Sequence, residues 1–129
     1  MTRTVRYSAD PQLTWHAVSR AWELTKSFEV LWEGDLPGGL DAPIVFFVKA
    51  GFITDLASIP RAVRSIIPQV GRHIQPSIAH DWCYESKTSL TQAESDLLYL
   101  DGMKAVGVRW LRRRAMYAAV RAFGWTLWD

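Results

Sequence analysis

The stretch SIAHDWCYESKTSLTQAESDLLYL, residues 77–100, predicts two helices joined by a short connection. Ser77 can act as the N-cap of the first helix, which continues to about Tyr84. Thr91 followed by Glu94 three residues later is a capping-box pattern that begins the second helix. Because the connection is short, we expect the two helices to pack against each other as an antiparallel pair.

Polar side chains interrupt the apolar pattern of both helices. At about 100° per residue, His80 and Tyr84 lie on one face of the first helix, with Asp81 about 100° from His80. On the second helix Asp96 falls inside the apolar arc, where an unpaired carboxylate costs several kcal/mol. In an antiparallel pair Asp96 faces back toward His80 and Tyr84. The apolar arc consists of Ala93, Leu97, Leu100 and Met103.

This arrangement has two interpretations. In the first, His80, Tyr84 and Asp96 form a satisfied polar network that sets the register between two helices. In the second they are catalytic, because a carboxylate that holds one imidazole nitrogen leaves the other as a general base and raises its basicity. Asp81 is then available to hold a cation. The spacing alone leaves both interpretations open.

The segment GFITDLASIPR, residues 51–61, offers a second group of polar side chains. Asp55 and Ser58 lie in a predicted loop that follows a strand, a common location for functional groups. Asp55 and Asp81 are the predicted metal ligands, and with His80 nearby they suit a divalent cation such as Ca²⁺ or Mg²⁺. The alternative is that Asp55 caps the following turn and Ser58 satisfies backbone groups.

The N-terminal half has the period-two pattern of half-buried strands. Phe28, Val30 and Trp32 share one face of a predicted strand. The apolar run at residues 44–50 predicts a central strand. Residues 1–20 are ambiguous, because Trp15 and Val18, together with Trp22, also hint at a helical face.

The second half is helical, and a third helix over RWLRRRAMYAAVRAF is predicted to end near Gly124. We therefore predict an α+β fold in which a small antiparallel β-sheet is followed by about three α-helices, the first two forming the antiparallel pair that carries the polar site. The length of 129 residues favours a single domain spanning 1–129.

Composition limits the classes of partner. A net charge of +2 favours neither nucleic acid nor membrane across the whole surface. The arginines near the C-terminus are interpreted as a solvated face, with contacts to phosphate or lipid head groups left open. The seven tryptophans are too many to bury in so small a core, so some are expected to line a surface for self-association or a partner.

The sequence also indicates where the protein acts. The single cysteine, Cys83, excludes an intramolecular disulfide and suits a reducing compartment. No window reaches the roughly 18 continuous apolar residues of a membrane helix, and the N-terminus has no signal-peptide pattern.

The motifs GFITDLASIPR, HDWCY and ESD, in this order, resemble a small family of uncharacterised proteins of tailed phages and prophages, a domain of unknown function. The resemblance extends from about Phe28 to Phe123. This chain departs from the family pattern at Glu94 and Ser95, where a small residue is more usual before the aspartate. The resemblance implies a phage origin, and with it synthesis in a host cytoplasm and, as a further expectation, incorporation into a virion.

The segment HDWCY also resembles the H-D-x-C-Y helix of phospholipases of the A-two class. In those enzymes the histidine activates water, the adjacent aspartate binds Ca²⁺, and the tyrosine and an aspartate on the antiparallel helix orient the histidine. The resemblance implies these roles for His80, Asp81, Tyr84 and Asp96. The glycine-rich calcium loop of that class is not recognisable upstream of HDWCY.

Three functional hypotheses follow from these patterns. The first is a cation-assisted phage hydrolase that acts on an ester or amide of the cell envelope, such as a lipid, during penetration of the host or lysis. The second is a non-catalytic virion or tail-assembly protein that contacts other phage structural proteins. A third, related hypothesis is an inhibitor that binds a host protein.

Overall fold

The N-terminal part of the chain forms two antiparallel sheets. The computed structural model describes residues 2–54, 73–85, 87–126 and 128. Its strands are β1 (Thr4–Tyr7), β2 (Leu13–His16), β3 (Ala21–Leu24), β4 (Phe28–Glu33), β5 (Ile44–Val48) and β6 (Ile53–Thr54). The strand order is β1-β4-β5 in one sheet and β2-β3-β6 in the other, with antiparallel neighbours throughout. The predicted antiparallel sheet is thus divided into two.

Strand β4 is the middle strand of the first sheet, and alternate residues along it define the inner face. Phe28, Val30 and Trp32 are buried and belong to the main hydrophobic core, which confirms the predicted face. The prediction of a central strand at β5 is not confirmed by the described residues, among which β5 pairs with β4 alone. Val45 and Phe47 of β5 are exposed, so the apolar run at this strand does not reflect burial on both faces.

The hint of a helix in residues 1–20 is also wrong, because β1 and β2 lie there. Trp15 of β2 stands opposite Trp22 of β3, and their ring centroids are 5.0 Å apart. Such cross-strand aromatic pairs stabilise antiparallel strands. The tryptophans that suggested one helical face are therefore neighbours across a hairpin.

Helices occupy the C-terminal part of the described chain. They are α1 (Ile74–Tyr84), α2 (Gln92–Ala105) and α3 (Trp110–Phe123), followed by a 3-10 turn at Gly124–Thr126. The predicted α+β class and the end of the third helix near Gly124 are confirmed. The capping box is confirmed as well: the Thr91 hydroxyl accepts from the Glu94 backbone N–H at 3.2 Å, and the Glu94 carboxylate accepts from the Thr91 N–H at 2.8 Å.

Helix α1 begins earlier than predicted. Its N-cap position is His73, so the assignment of Ser77 as N-cap is wrong. Pro76 is the third residue of the helix, where a backbone N–H has no intrahelical acceptor to lose. The Ser77 hydroxyl instead shares a 2.9 Å hydrogen bond with the hydroxyl of Tyr99 on α2.

Three side-chain contacts show that α1 and α2 are antiparallel, as predicted. Ser77 contacts Tyr99, His80 contacts Asp96 and Tyr84 contacts Gln92, so the partner number falls as the α1 number rises. Each polar residue of α1 therefore lies opposite one particular residue of α2.

Helix α2 is buried on more than one side, because it packs against α1, α3 and β1. The predicted apolar arc is only partly correct: Leu100 and Met103 are buried, but Ala93 is exposed. Asp96 and Tyr99 are more deeply buried than most of the arc. The interior face of α2 is therefore more polar than its hydrophobic pattern indicates.

A second buried carboxylate, Asp101, anchors α2 to the first sheet. It accepts hydrogen bonds from Arg3 Nε at 2.8 Å and from Trp32 Nε1 at 2.9 Å. The next residue, Gly102, leaves the space that the Tyr7 hydroxyl and the Pro76 ring occupy, since a Cβ there would collide with the hydroxyl. These contacts hold α2 in the position from which Asp96 faces α1.

Candidate functional site

Asp96 is the centre of the polar network between α1, α2 and α3. Its side chain is 0% exposed. Oδ1 lies 2.7 Å from His80 Nε2 and accepts from the Tyr84 hydroxyl at 2.6 Å, while Oδ2 accepts from Arg121 NH1 at 2.9 Å. The predicted contacts of Asp96 with His80 and Tyr84 are confirmed. Whether these residues are catalytic stays a prediction.

The hydrogen bond to Asp96 determines the state of His80. An ionised carboxylate can only accept, so Nε2 carries the proton and donates it. In the neutral ring the other nitrogen, Nδ1, is then an acceptor. Nδ1 is buried and has no hydrogen-bond partner in the part of the chain that the structure describes. A buried acceptor of this kind is uncommon and calls for a functional or structural explanation.

The protonation states of the pair follow from burial and contacts. Burial lowers the pKa of His80 below its ordinary value, although the hydrogen bond and charge of Asp96 oppose this. Burial would raise the pKa of Asp96, but hydrogen bonds from His80, Tyr84 and Arg121 outweigh it and lower that pKa. At neutral pH the pair is therefore a neutral imidazole beside a carboxylate.

Aromatic rings enclose the imidazole. The His80 ring centroid is 4.2 Å from that of Tyr84 and 4.6 Å from that of Tyr99, which is stacked on it. The His80 side chain is only 4% exposed. Packing against these rings therefore fixes its orientation together with the hydrogen bond to Asp96. Burial is the main cause that raises the pKa of Tyr84, and the hydrogen bond to Asp96 raises it further. The phenol therefore stays protonated and remains a hydrogen-bond donor.

Arg121 is a member of the site that the sequence did not reveal. It was grouped with the other arginines of α3 as part of a solvated face, and its side chain is indeed 42% exposed. Its guanidinium nevertheless reaches the buried Oδ2 of Asp96. A buried carboxylate such as Asp96 requires a partner, so the sequence could have indicated that a cation lies near it. No sequence pattern distinguishes Arg121 from the neighbouring arginines.

Gln92 and Trp128 complete the surroundings of Tyr84. The Gln92 amide donates to the Tyr84 hydroxyl at 3.4 Å, and the Trp128 ring meets the Tyr84 ring edge-on at 5.0 Å. Gly124 lies against the same hydroxyl, because a Cβ built there would collide with it and approach Gln92. The backbone at Gly124 is helical, so the requirement for glycine is one of space.

Gly124→Ala is expected to destabilise the protein by about 1–3 kcal/mol, the usual cost of overpacking. The added methyl group must displace the Tyr84 hydroxyl, which weakens its bond to Asp96. Urea denaturation measures the loss. Gly38→Ala is the matched control, because a Cβ there meets nothing within 4 Å. Equal stabilities of the two variants would contradict this packing.

Asp81 does not join the His80–Asp96 pair. Its carboxylate accepts a hydrogen bond from the hydroxyl of Thr54, at the end of β6. Asp55 and Ser58, predicted as a metal ligand and a loop group, lie outside the described residues. Within the described ranges, no group of three or more His, Cys, Asp or Glu side chains could hold a metal ion. The divalent cation therefore stays a prediction.

Cys83 is a buried residue of the main core. Burial raises the pKa of its thiol to about 11, so the thiol stays protonated at neutral pH. Since the thiolate is the reactive form, Cys83 is not a candidate nucleophile.

Stability is expected to fall as the pH drops below 6.5, the ordinary pKa of histidine. Because the folded-state pKa of His80 is lower, the unfolded chain binds the proton first, and each step to lower pH favours unfolding until the folded pKa is reached. The lowered pKa of Asp96 adds a second fall below 3.8. Urea denaturation on both sides of pH 6.5 measures the first fall.

His80→Gln should reduce this first fall and leave the second. His16→Gln is the control, because it changes an exposed histidine at the end of β2. Its stability should show the same fall below pH 6.5 as that of the native protein. The same slope in native protein and His80→Gln would show that the imidazole is not held neutral.

The chain is similar to proteins that are themselves uncharacterised. A family model described as "Protein of unknown function (DUF1353)" matches residues 39–120. "Uncharacterized protein y4jT" of Sinorhizobium fredii (strain NBRC 101917 / NGR234) is 37% identical over 110 residues. That alignment covers 82% of this chain and 30% of the relative, so the chain spans less than a third of the relative's length. No solved structure matches.

The matched range contains His80, Tyr84 and Asp96, whereas Arg121 and Gly124 lie just beyond it. In the part of the chain that the structure describes, none of the helices has the length and apolar character needed to cross a membrane.

Proposed function

Since this chain belongs to the family of proteins of unknown function DUF1353, we propose that it is a small phage-encoded hydrolase in which His80 activates water. The observation that carries the proposal is the state of the imidazole. Asp96 holds Nε2–H, and the unprotonated Nδ1 has no hydrogen-bond partner among the described residues. An unprotonated ring nitrogen held in this way is one requirement of a general base.

Each residue of the network has a part in the proposed reaction. Nδ1 of His80 takes a proton from water as the oxygen attacks a carbonyl carbon, and later returns that proton to the leaving group. Asp96 keeps the ring in the Nε2–H tautomer and stabilises the imidazolium that forms. Tyr84 and Arg121 hold the carboxylate in place as positioning residues.

The proposed substrate is an ester or amide of the cell envelope, met during penetration of the host or lysis. The support is that His80, Tyr84 and Asp96 make the contacts that the resemblance of HDWCY to the phospholipase helix implies. The steps above use only side chains of the described residues, and Asp81 and Asp55 stay the proposed ligands of a divalent cation such as Ca²⁺ or Mg²⁺.

The test is hydrolysis by the purified native chain. Phospholipid vesicles and isolated peptidoglycan are incubated with the protein, with added Ca²⁺, with added Mg²⁺ and with a chelator. Released fatty acid reports ester cleavage, and newly formed amino groups report amide cleavage. Hydrolysis of either substrate above the rate without protein is the expected result. Absence of product under every condition would contradict the proposal.

A virion or tail-assembly protein is the second candidate function. The observation that favours it is the exposure of large apolar side chains at both ends of α3, where Trp110, Phe123 and Trp125 are uncovered. Exposed aromatic residues are enriched at protein interfaces. Detection of the protein in purified phage particles would support this candidate, and its absence from them would count against it.

A further inference from the structure

Charge is divided unevenly along this chain. Residues 1–101 contain nine basic and 12 acidic residues, whereas residues 102–129 contain six basic residues and one acidic residue, Asp129. Most of the second group is on α3, including Arg112 and Arg114, which are exposed. The net charge of +2 therefore conceals a positively charged surface at one end of the chain.

The outward side of α3 is apolar as well as basic. At about 100° per residue, Leu111, Ala115, Ala118 and Ala122 fall within about 60° of one another. All four are exposed, and Leu111 is 74% exposed. Arg114 lies about 60° to one side of Leu111 and Arg112 about 100° to the other. An exposed apolar stripe is thus bordered by guanidinium groups.

Tryptophans stand at both ends of this stripe. Trp110 is the first residue of α3, and Trp125 is 71% exposed in the 3-10 turn that follows the helix. The Arg114 guanidinium lies 5.8 Å from the Trp110 ring centroid. We define the α3 outer face by these features: its members are Trp110, Leu111, Arg112, Arg114, Ala115, Ala118, Ala122 and Trp125.

We propose that the α3 outer face docks this protein on an anionic lipid bilayer, with the apolar stripe in the interfacial layer and Arg112 and Arg114 on lipid phosphates. Helices that lie in a membrane surface combine Lys and Arg with Trp and Leu in this manner. Tryptophan favours the boundary between head groups and acyl chains, and each arginine near the surface adds attraction.

The composition of the stripe favours lipid over nucleic acid. Leu111 and the alanines cannot stack on bases or form hydrogen bonds with them, and contact with phosphate or water leaves their apolar surface exposed. An acyl boundary buries that surface, which is favourable by about 25 cal/mol per Å². Binding to duplex DNA is therefore expected to be weaker than binding to anionic vesicles.

Arg121 connects this face with the buried pair. It is exposed on the same helix while its NH1 donates to Asp96. A bilayer against the α3 outer face would thus lie against the helix whose Arg121 donates a hydrogen bond to the Asp96 carboxylate. The docking inference does not rest on the proposed hydrolysis, since it uses only exposed residues of α3 and of the 3-10 turn that follows it.

Co-sedimentation with vesicles tests the docking surface. The native chain is expected to bind phosphatidylglycerol vesicles, to bind phosphatidylcholine vesicles much less, and to lose binding as salt rises. The double variant Arg112→Gln/Arg114→Gln should bind about 30-fold more weakly. Lys26→Gln/Lys49→Gln removes the same charge from exposed sites in the N-terminal half and should bind like the native protein.

The apolar stripe has its own pair of variants. Leu111→Ser should weaken vesicle binding roughly tenfold. Val45→Ser, at an exposed position of β5, is the matched control and should leave binding unchanged. Because these measurements report binding alone, a native chain that docks on vesicles without hydrolysing them would retain this inference and lose the proposed function.

Three results would overturn the docking proposal. The first is equal binding to anionic and neutral vesicles. The second is tighter binding to duplex DNA than to vesicles, which would assign the face to nucleic acid. The third is a dimer in solution that Leu111→Ser dissociates and that does not bind vesicles, which would assign the face to a second copy of the chain.

Discussion

Asp96→Ala is expected to lower the free energy of unfolding by about 3–5 kcal/mol, the cost of removing one partner from a buried polar network. The substitution leaves His80 Nε2 and the Tyr84 hydroxyl without their acceptor. Each buried donor left unsatisfied costs about 1–3 kcal/mol. Arg121 contributes less, because its side chain is partly exposed and can bind water instead.

Urea denaturation of the native protein and Asp96→Ala at neutral pH measures this effect. Asp10→Ala is the control for loss of a carboxylate, since Asp10 is exposed and its variant should lie within about 0.5 kcal/mol of the native protein. A loss for Asp96→Ala as small as that of the control would mean that the network does not stabilise the contact between α1 and α2.

His80→Gln is expected to lower the rate of hydrolysis by about 10²–10⁴-fold, the contribution of a positioned general base. The glutamine amide can replace Nε2–H as a donor to Asp96, but it has no basic nitrogen in place of Nδ1. The fold should therefore be retained while the proton acceptor is lost. This prediction rests on the proposed function and uses the same vesicle and peptidoglycan assays.

Both the rate and the stability of His80→Gln must be measured. His16→Gln is the activity control, because His16 is exposed on β2 and contacts Glu23 there. A folded His80→Gln protein with the native rate would exclude His80 as the base. If hydrolysis is undetectable in the native chain and Asp96→Ala is strongly destabilising, the network is a structural polar core.

The pairing of His80 with Asp96 was predictable because it depends on short-range geometry. A connection of only a few residues forces two helices to pack antiparallel. The period of 3.6 residues then places Asp96 opposite His80. The cost of an unpaired buried carboxylate makes this partnership the favourable one. The capping box of Thr91 and Glu94 is local for the same reason.

Arg121 and Gly124 could not be assigned in this way. The contact of Arg121 with Asp96 joins residues 25 positions apart and depends on how α3 lies across α2. Gly124 is needed because the Tyr84 hydroxyl occupies the space of its missing side chain. As a C-terminal helix signal the glycine was readable, but its contact with the site was not.

The sequence by itself determined the α+β class, the inner face of β4 and the antiparallel helices that carry His80 and Asp96. Each follows from the periodicity of one element or from a short connection. The tertiary structure decided that β5 is an edge strand among the described residues and that Trp15 pairs with Trp22. It also decided that Arg121 reaches Asp96. These outcomes depend on contacts between elements, where several partners satisfy the same local pattern and only packing of the whole chain selects one.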